Sequence, residues 1–171
     1  MNAMVNHETY MELALRYAER ALEAGEFPVG CVIEHCGQII ASGSRVSSIG
    51  IANEMDHAEM IALRAMLNNT EKIKAEEVTV YSTMEPCLMC FSTLLVNGVT
   101  RFVFSFEDVM GGGTNLPLER LSPLYSELKL SITGGVLRKK SLALFQRFFS
   151  SKENTYLQGS LLEKYTLEQL V

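Results

Sequence analysis

The sequence predicts an α/β protein, a sheet covered by helices. Three observations carry this expectation. Stretches with apolar residues at a helical period alternate along the chain with short runs of β-branched and aromatic residues. Glycines stand where several of these elements should end. Two groups of chemically active residues fall at predicted helix starts that follow strands, the place where open α/β sheets hold ligands.

The elements follow in order. Over residues 6–24, Tyr10, Leu13, Ala14, Tyr17, Ala18, Ala21 and Leu22 form one helical stripe, with Asn6 able to cap it and Gly25 able to end it. Residues 29–34 read as a strand, Cys36-Gly37 as a tight turn and residues 38–41 as the returning strand of a hairpin. Residues 42–55 are rich in Ser, Gly and Asn and read as a loop long enough to overhang a site. Asp56 is placed to cap a helix over residues 57–67, with Ala58, Ile61, Ala62, Ala65 and Met66 as its buried stripe. Residues 78–82 alternate as a strand does, and residues 87–96 follow as a helix ended by Gly98. A strand over 101–106 leads into Gly111-Gly112-Gly113, which reads as a flexible turn. A short helix near 118–125, a strand near 128–132 and a helix over about 137–149 complete the alternation. Beyond Ser150 the composition turns polar before a last short helix within 161–170, so residues 1–150 read as one domain and 151–171 as a tail that can cap the site.

Composition bounds the function. With 171 residues the chain fits one domain, and 47% hydrophobic against 20% charged residues is a globular balance. Lys and Arg number 15 against 20 Asp and Glu, and the resulting net charge of −5 argues against a large phosphate-tracking surface. Four cysteines are too few and too unevenly spaced for a secreted disulfide scaffold. Residues 1–6 lack a signal-peptide profile, and no apolar run approaches the roughly 18 residues needed to span a bilayer. The expectation is a reducing cytoplasm and no membrane contact.

The chemistry concentrates in His57-Ala58-Glu59 and Pro86-Cys87-Leu88-Met89-Cys90. Cysteines three apart at a helix start project from one face, so one metal can touch both sulfurs. With an imidazole nitrogen from His57 they make a soft set suited to Zn²⁺, leaving the fourth tetrahedral position for water. Zinc acidifies such a water, and Glu59 is near enough in sequence to accept its proton. The helix dipoles at both starts favour thiolates. A lone C-x-x-C is also compatible with a redox pair or with half of an all-cysteine site completed by Cys31 and Cys36. That reading leaves His57 and Glu59 without a role, and Cys31 falls in a strand where a free thiol is a packing residue. His7 and His35 have no ligand partner at a suitable spacing and read as surface residues.

His57-Ala58-Glu59-Met60 and Met84-Glu85-Pro86-Cys87-Leu88-Met89-Cys90 resemble the cytidine and deoxycytidylate deaminase superfamily. Within it the chain is most similar to the branch of bacterial tRNA adenosine deaminases, guanine deaminases and fungal-type cytosine deaminases. Glu26-Phe27-Pro28-Val29-Gly30, Val80-Tyr81-Ser82-Thr83 and Glu107-Asp108 extend the resemblance over residues 8–150. It implies a three-layer fold, a five-stranded mixed sheet with helices on both faces, and a homodimer or larger assembly. It also implies that His57, Cys87 and Cys90 bind zinc, that Glu59 shuttles protons and that the Ala58 backbone N–H faces the substrate. Phe27 would line the pocket and Asp108 its rim, although Asp108 also reads as a turn residue. One departure stands out. Where the family carries an Asn in a Gly-x-Asn setting, this chain reads Gly43-Ser44-Arg45. Arg45 can read an acidic or carbonyl-bearing substrate, or stand in solvent as an exposed loop arginine.

The expected activity is hydrolytic deamination of a nucleobase, nucleoside or related heterocyclic amine, with water replacing ammonia. Two alternatives differ in kind. One is deamination of adenosine to inosine in a tRNA anticodon loop, for which Arg138-Lys139-Lys140 with Arg147 are the basic residues available; Glu153, Glu163 and Glu168 nearby favour a solvated helix face instead. The other is a non-catalytic, zinc-stabilised binding module.

Overall fold

The computed structural model describes residues 6–69 and 73–170, so the expectation about a leader over residues 1–6 falls almost wholly outside the described residues. A hairpin of β1 (Gly30–His35) and β2 (Gln38–Ser44) turns at Cys36 and Gly37, both with positive φ. The inner strand β1 also pairs antiparallel with β3 (Thr79–Met84), and β4 (Arg101–Phe106) and β5 (Ser131–Thr133) continue the sheet in parallel. The strand order is β2-β1-β3-β4-β5, a five-stranded mixed sheet.

Strand alternation decides which helices cover which face. Val32, Tyr81 and Val103 pack with Met11, Ala14, Leu15 and Ala18 of α1 (His7–Glu23) and with Leu144 of α5 (Arg138–Phe149). Cys31, Ile33, Val80 and Phe102 form the opposite core with α2 (Ala58–Leu67) and α3 (Leu88–Val96). The result is three layers. Gly43 lets α2 lie close on β2, since a Cβ there would sit 2.3 Å from the Ala58 carbonyl oxygen.

Element order matches the expectation, and the differences are local. Asn6 occupies the α1 cap without a side-chain hydrogen bond, and Met11 and Leu15 join the buried face. The buried face of α2 is Ala58, Glu59, Met60, Ala62, Leu63 and Met66; Ala65 turns to solvent. Asp56 is not the α2 cap: its carboxylate accepts from the Ser47 hydroxyl and the Asn53 amide, and His57 takes the cap position. The segment before β5 splits into a 3₁₀ turn (Leu118–Arg120) and a single turn, α4 (Pro123–Ser126). The last helix, α6 (Leu161–Glu168), opens on Ser160, whose hydroxyl caps Glu163 N–H. It buries Leu162 and Thr166, so the C-terminal segment is seated on the body. No helix among the described residues is long and apolar enough to cross a membrane.

Candidate metal centre and catalytic cavity

The two ligand groups meet because α2 and α3 start side by side on one face of the sheet. His57 and Cys87 are the cap residues of these helices, both with extended backbone and neither capping with its side chain. Their side chains are therefore free to turn into the site, beside the positive ends of two helix dipoles.

His57 Nδ1 stands 3.5 Å from both Cys87 Sγ and Cys90 Sγ. Tetrahedral zinc with ordinary bond lengths sets nitrogen and sulfur about 3.6 Å apart, so the imidazole already stands at the right separation from both sulfurs. Among the described residues they are the one group of three or more His, Cys, Asp or Glu side chains suited to a metal ion. Burial opposes charge on His57, yet the contact with Cys87 and the nearby carboxylates of Glu59 and Glu54 push its pKa up to about 9. The hydrogen bond from Cys90 and the His57 ring hold Cys87 down to about 4, against the effect of burial. Cys90, which donates that bond and is buried, is pushed up.

Glu59 is 3% exposed in the first turn of α2. Its Oε1 accepts from Ser82 Oγ of β3 at 2.9 Å, and Cys90 Sγ lies 3.7 Å from its Oε2. Burial raises its pKa, with the His57 charge pulling the other way. A carboxyl so placed holds a proton more readily than one in water.

A cavity of about 240 Å³ opens over this centre. Every residue assigned to the site from sequence lines it except Cys90, which lies beneath and touches His57 and Cys87. Phe27 is buried as a wall residue, its ring 5.2 Å from those of Phe145 and Phe148. Ala58 is fully buried. Asp108 lines the cavity, and its Oδ1 accepts from the N–H groups of Met110 and Gly111. Burial raises its pKa.

Arg45 is not a solvated loop residue. It is 2% exposed, because β2 runs on to Ser44 and Arg45 N–H continues the pairing to the Val29 carbonyl at 2.8 Å. Its guanidinium donates to the Asn53 carbonyl at 2.8 Å and to Glu54 at 3.1 Å, lies 5.6 Å from the Tyr156 ring centre, and leaves Nε without a partner.

The Gly111 to Gly113 run is a brace rather than a flexible turn. Cys87 and Gly112 form an isolated bridge, and Gly113 N–H donates to the Pro86 carbonyl at 2.9 Å. A Cβ at Gly112 would meet Glu85 Cδ at 2.6 Å, and one at Gly113 would meet Leu88 Cα at 2.8 Å. Glu85 in turn accepts from Asp108 N–H at 3.1 Å and from the Thr114 hydroxyl.

Cys31 is buried in β1 and Cys36 exposed on the hairpin turn, so neither joins the ligand set. His7 and His35 are half-buried and partnered, with Tyr81 at 3.0 Å and Glu77 at 3.3 Å, rather than free on the surface. The basic residues of α5 are also divided: Arg138 pairs with Glu107 and Lys140 with Glu12. Several cavity residues were not identified from sequence, namely Glu54, Met84, Glu85, Met110, Tyr156, Leu157 and Leu162, and neither was the buried Ser82 that bonds Glu59 from behind. The alternation of β3 turns Ser82 to the side of Cys31 and so offered a signal; the loop and tail residues carried none.

The fold and centre define a zinc-dependent hydrolase that removes an amino group from carbon. A family model described as the cytidine and deoxycytidylate deaminase zinc-binding region matches residues 4–106, and the chain belongs to that family. The tRNA-specific adenosine deaminase of Buchnera aphidicola is 31% identical over 150 residues, 86% of this chain and 97% of that one. That of Bacillus subtilis is 29% identical, covering 85% and 90%. A solved deaminase acting on the wobble position of transfer RNA aligns with a TM-score of 0.65 at 25% identity, over 80% of this chain and 98% of that one. The guanine deaminase of Nitrosomonas europaea shares the fold at 20% identity, with a TM-score of 0.63 over 82% and 83%.

Proposed function

We propose that this deaminase acts on a free heterocyclic amine, a nucleobase, nucleoside or close relative. One observation carries the reading: Tyr156, Leu157 and Leu162 of the C-terminal segment form part of the cavity wall. Residues 1–150 then serve as the catalytic body and 151–171 as its cap. A base that belongs to a folded RNA needs an open approach, whereas a small ring fits beneath such a cap.

Phe27 and the apolar wall hold the ring, and the Ala58 N–H at the start of α2 faces its polar edge. His57, Cys87 and Cys90 would hold the zinc, which when bound would supply an acidified water as the nucleophile. Glu59 would take one proton of the water on its carboxylate and deliver it to the ring nitrogen as the oxygen bonds to carbon. It would then take the proton of the new hydroxyl and give it to the amine as the C–N bond breaks, so that ammonia leaves and a carbonyl remains. Ser82 keeps Oε1 of Glu59 in one place throughout. Asp108 bounds the cavity, and Arg45, which also lines it, is assigned to a carbonyl or acidic group on the substrate. We read the chain as a homodimer of a reducing cytoplasm.

A second reading, adenosine of a tRNA anticodon loop, is supported by the names of the relatives and by their nearly complete coverage. Against it stand Arg45 at the position of the family's Asn and the pairing of Arg138 and Lys140. Ammonia release by zinc-loaded protein separates the two on one panel: cytosine, guanine, adenine, their nucleosides, dCMP and an anticodon stem-loop RNA. Turnover of a free amine with silence on RNA is expected. Turnover confined to the RNA would overturn the first reading in favour of the second.

A further inference from the structure

Hydrogen bonds connect the C-terminal segment to the metal ligands. His57 directs Nδ1 at the two sulfurs and Nε2 at Glu54 Oε2, 3.0 Å away. The same carboxylate receives Arg45 Nη2 at 3.1 Å and the Tyr156 hydroxyl at 3.1 Å. The side chain of Glu54 is 57% exposed and by itself would turn freely in water, but the buried Arg45 fixes it from one side and Tyr156 from another.

We propose that Glu54 is the positioning residue of the zinc centre and that Tyr156 makes the C-terminal segment part of the same device. A histidine that ligates through one nitrogen is set by the partner of the other. Glu54 holds the proton on Nε2, leaves the Nδ1 lone pair free for the metal and fixes the plane of the ring. Closing the cavity and tightening the ligand set are then one event. This assignment stands on the zinc ligands and not on the choice of substrate.

The test is the zinc affinity of the full chain, measured by competition with a chromogenic chelator at one pH, for the wild type and for Glu54→Ala, Glu54→Gln and Tyr156→Phe. Melting of each zinc-free protein reports folding. Glu54→Ala is expected to weaken zinc binding about 10–100-fold. Glu54→Gln keeps an acceptor oxygen without the charge and should fall between Glu54→Ala and the wild type; being isosteric, it carries the test if the alanine variant fails to fold. Loss of one hydrogen bond in Tyr156→Phe should cost a few-fold, about 3–10. Wild-type affinity in both Glu54 variants, or lower melting without a change in affinity, overturns the assignment. Wild-type affinity in Tyr156→Phe overturns the share given to the C-terminal segment. Because the readout is metal binding, inactivity on every amine of the panel leaves this result standing by itself.

Discussion

The Ser82 hydroxyl donates to Glu59 Oε1 over 2.9 Å, so a strand on one side of the site holds a carboxyl supplied by a helix on the other. A hydrogen bond to a charged group contributes about 1.5–3 kcal/mol, and losing it from a positioned acid-base group costs about 10–100-fold in rate. Ser82→Ala should lower kcat by that factor with zinc content unchanged. Glu59→Gln should lower it about 10²–10⁴-fold, also with zinc retained. Metal analysis alongside steady-state rates checks both; full activity of the Glu59 variant would remove the assigned mechanism.

How much of this was legible in the sequence depends on the distance over which each feature is encoded. His57, Glu59, Cys87 and Cys90 lie within two short motifs, so the donors that meet at the centre and the carboxyl beside them could be picked out from local spacing together with the family resemblance. Helix and strand order could be read from local periodicity in the same way. Arg45 could not, because its burial depends on Glu54, Tyr156 and the extension of β2, and no local pattern records partners 9 and 111 residues away. The glycine run failed for a similar reason. Three glycines look flexible until Glu85 and Leu88 are seen pressed against them.

Removing zinc tests the centre directly. Chelation should abolish turnover and added zinc should restore it. Because the donors come from two helices, the melting temperature should also fall. A site kept at about 1,000 times its dissociation constant adds about 4 kcal/mol of stability. Calorimetry with and without chelator measures the difference, and equal melting would mean that the donors do not share an ion.

Gly43→Ala should damage stability and activity together. The added methyl would meet the Ala58 carbonyl at 2.3 Å and Ala62 N at 2.9 Å, both backbone atoms of α2. Overpacking of this kind costs about 1–3 kcal/mol, and here the relief has to come from the helix that carries Glu59. Denaturant melts and kcat on one preparation check it; a neutral result would show that α2 can shift without moving its first turn.

The Glu107 pair provides a pH test at residues outside the metal-donor set. Burial raises the Glu107 pKa, but hydrogen bonds from Arg138 and Tyr165 outweigh this and hold it down from 4.5 to about 2. A carboxylate with a depressed folded pKa adds stability that is complete above the unfolded value and is lost as pH falls through the folded one. Glu107→Gln should therefore be less stable than the wild type at neutral pH, by about 0.5–1 kcal/mol after allowance for solvent screening. The gap should close between about pH 4.5 and 2. Melting temperatures of both proteins across that window decide the matter, and a gap that persists at pH 2 would assign the loss to packing.

The strand order has a consequence for the newborn chain. His57 follows the outer strand β2, Cys87 and Cys90 follow β3, and β1 lies between these strands in the sheet. A ribosome that has released only the hairpin and α2 has delivered a single zinc donor. The other two arrive after β3 has joined the far side of β1, which makes ion uptake a late step in biogenesis. Nascent chains halted before Cys87 should not retain zinc.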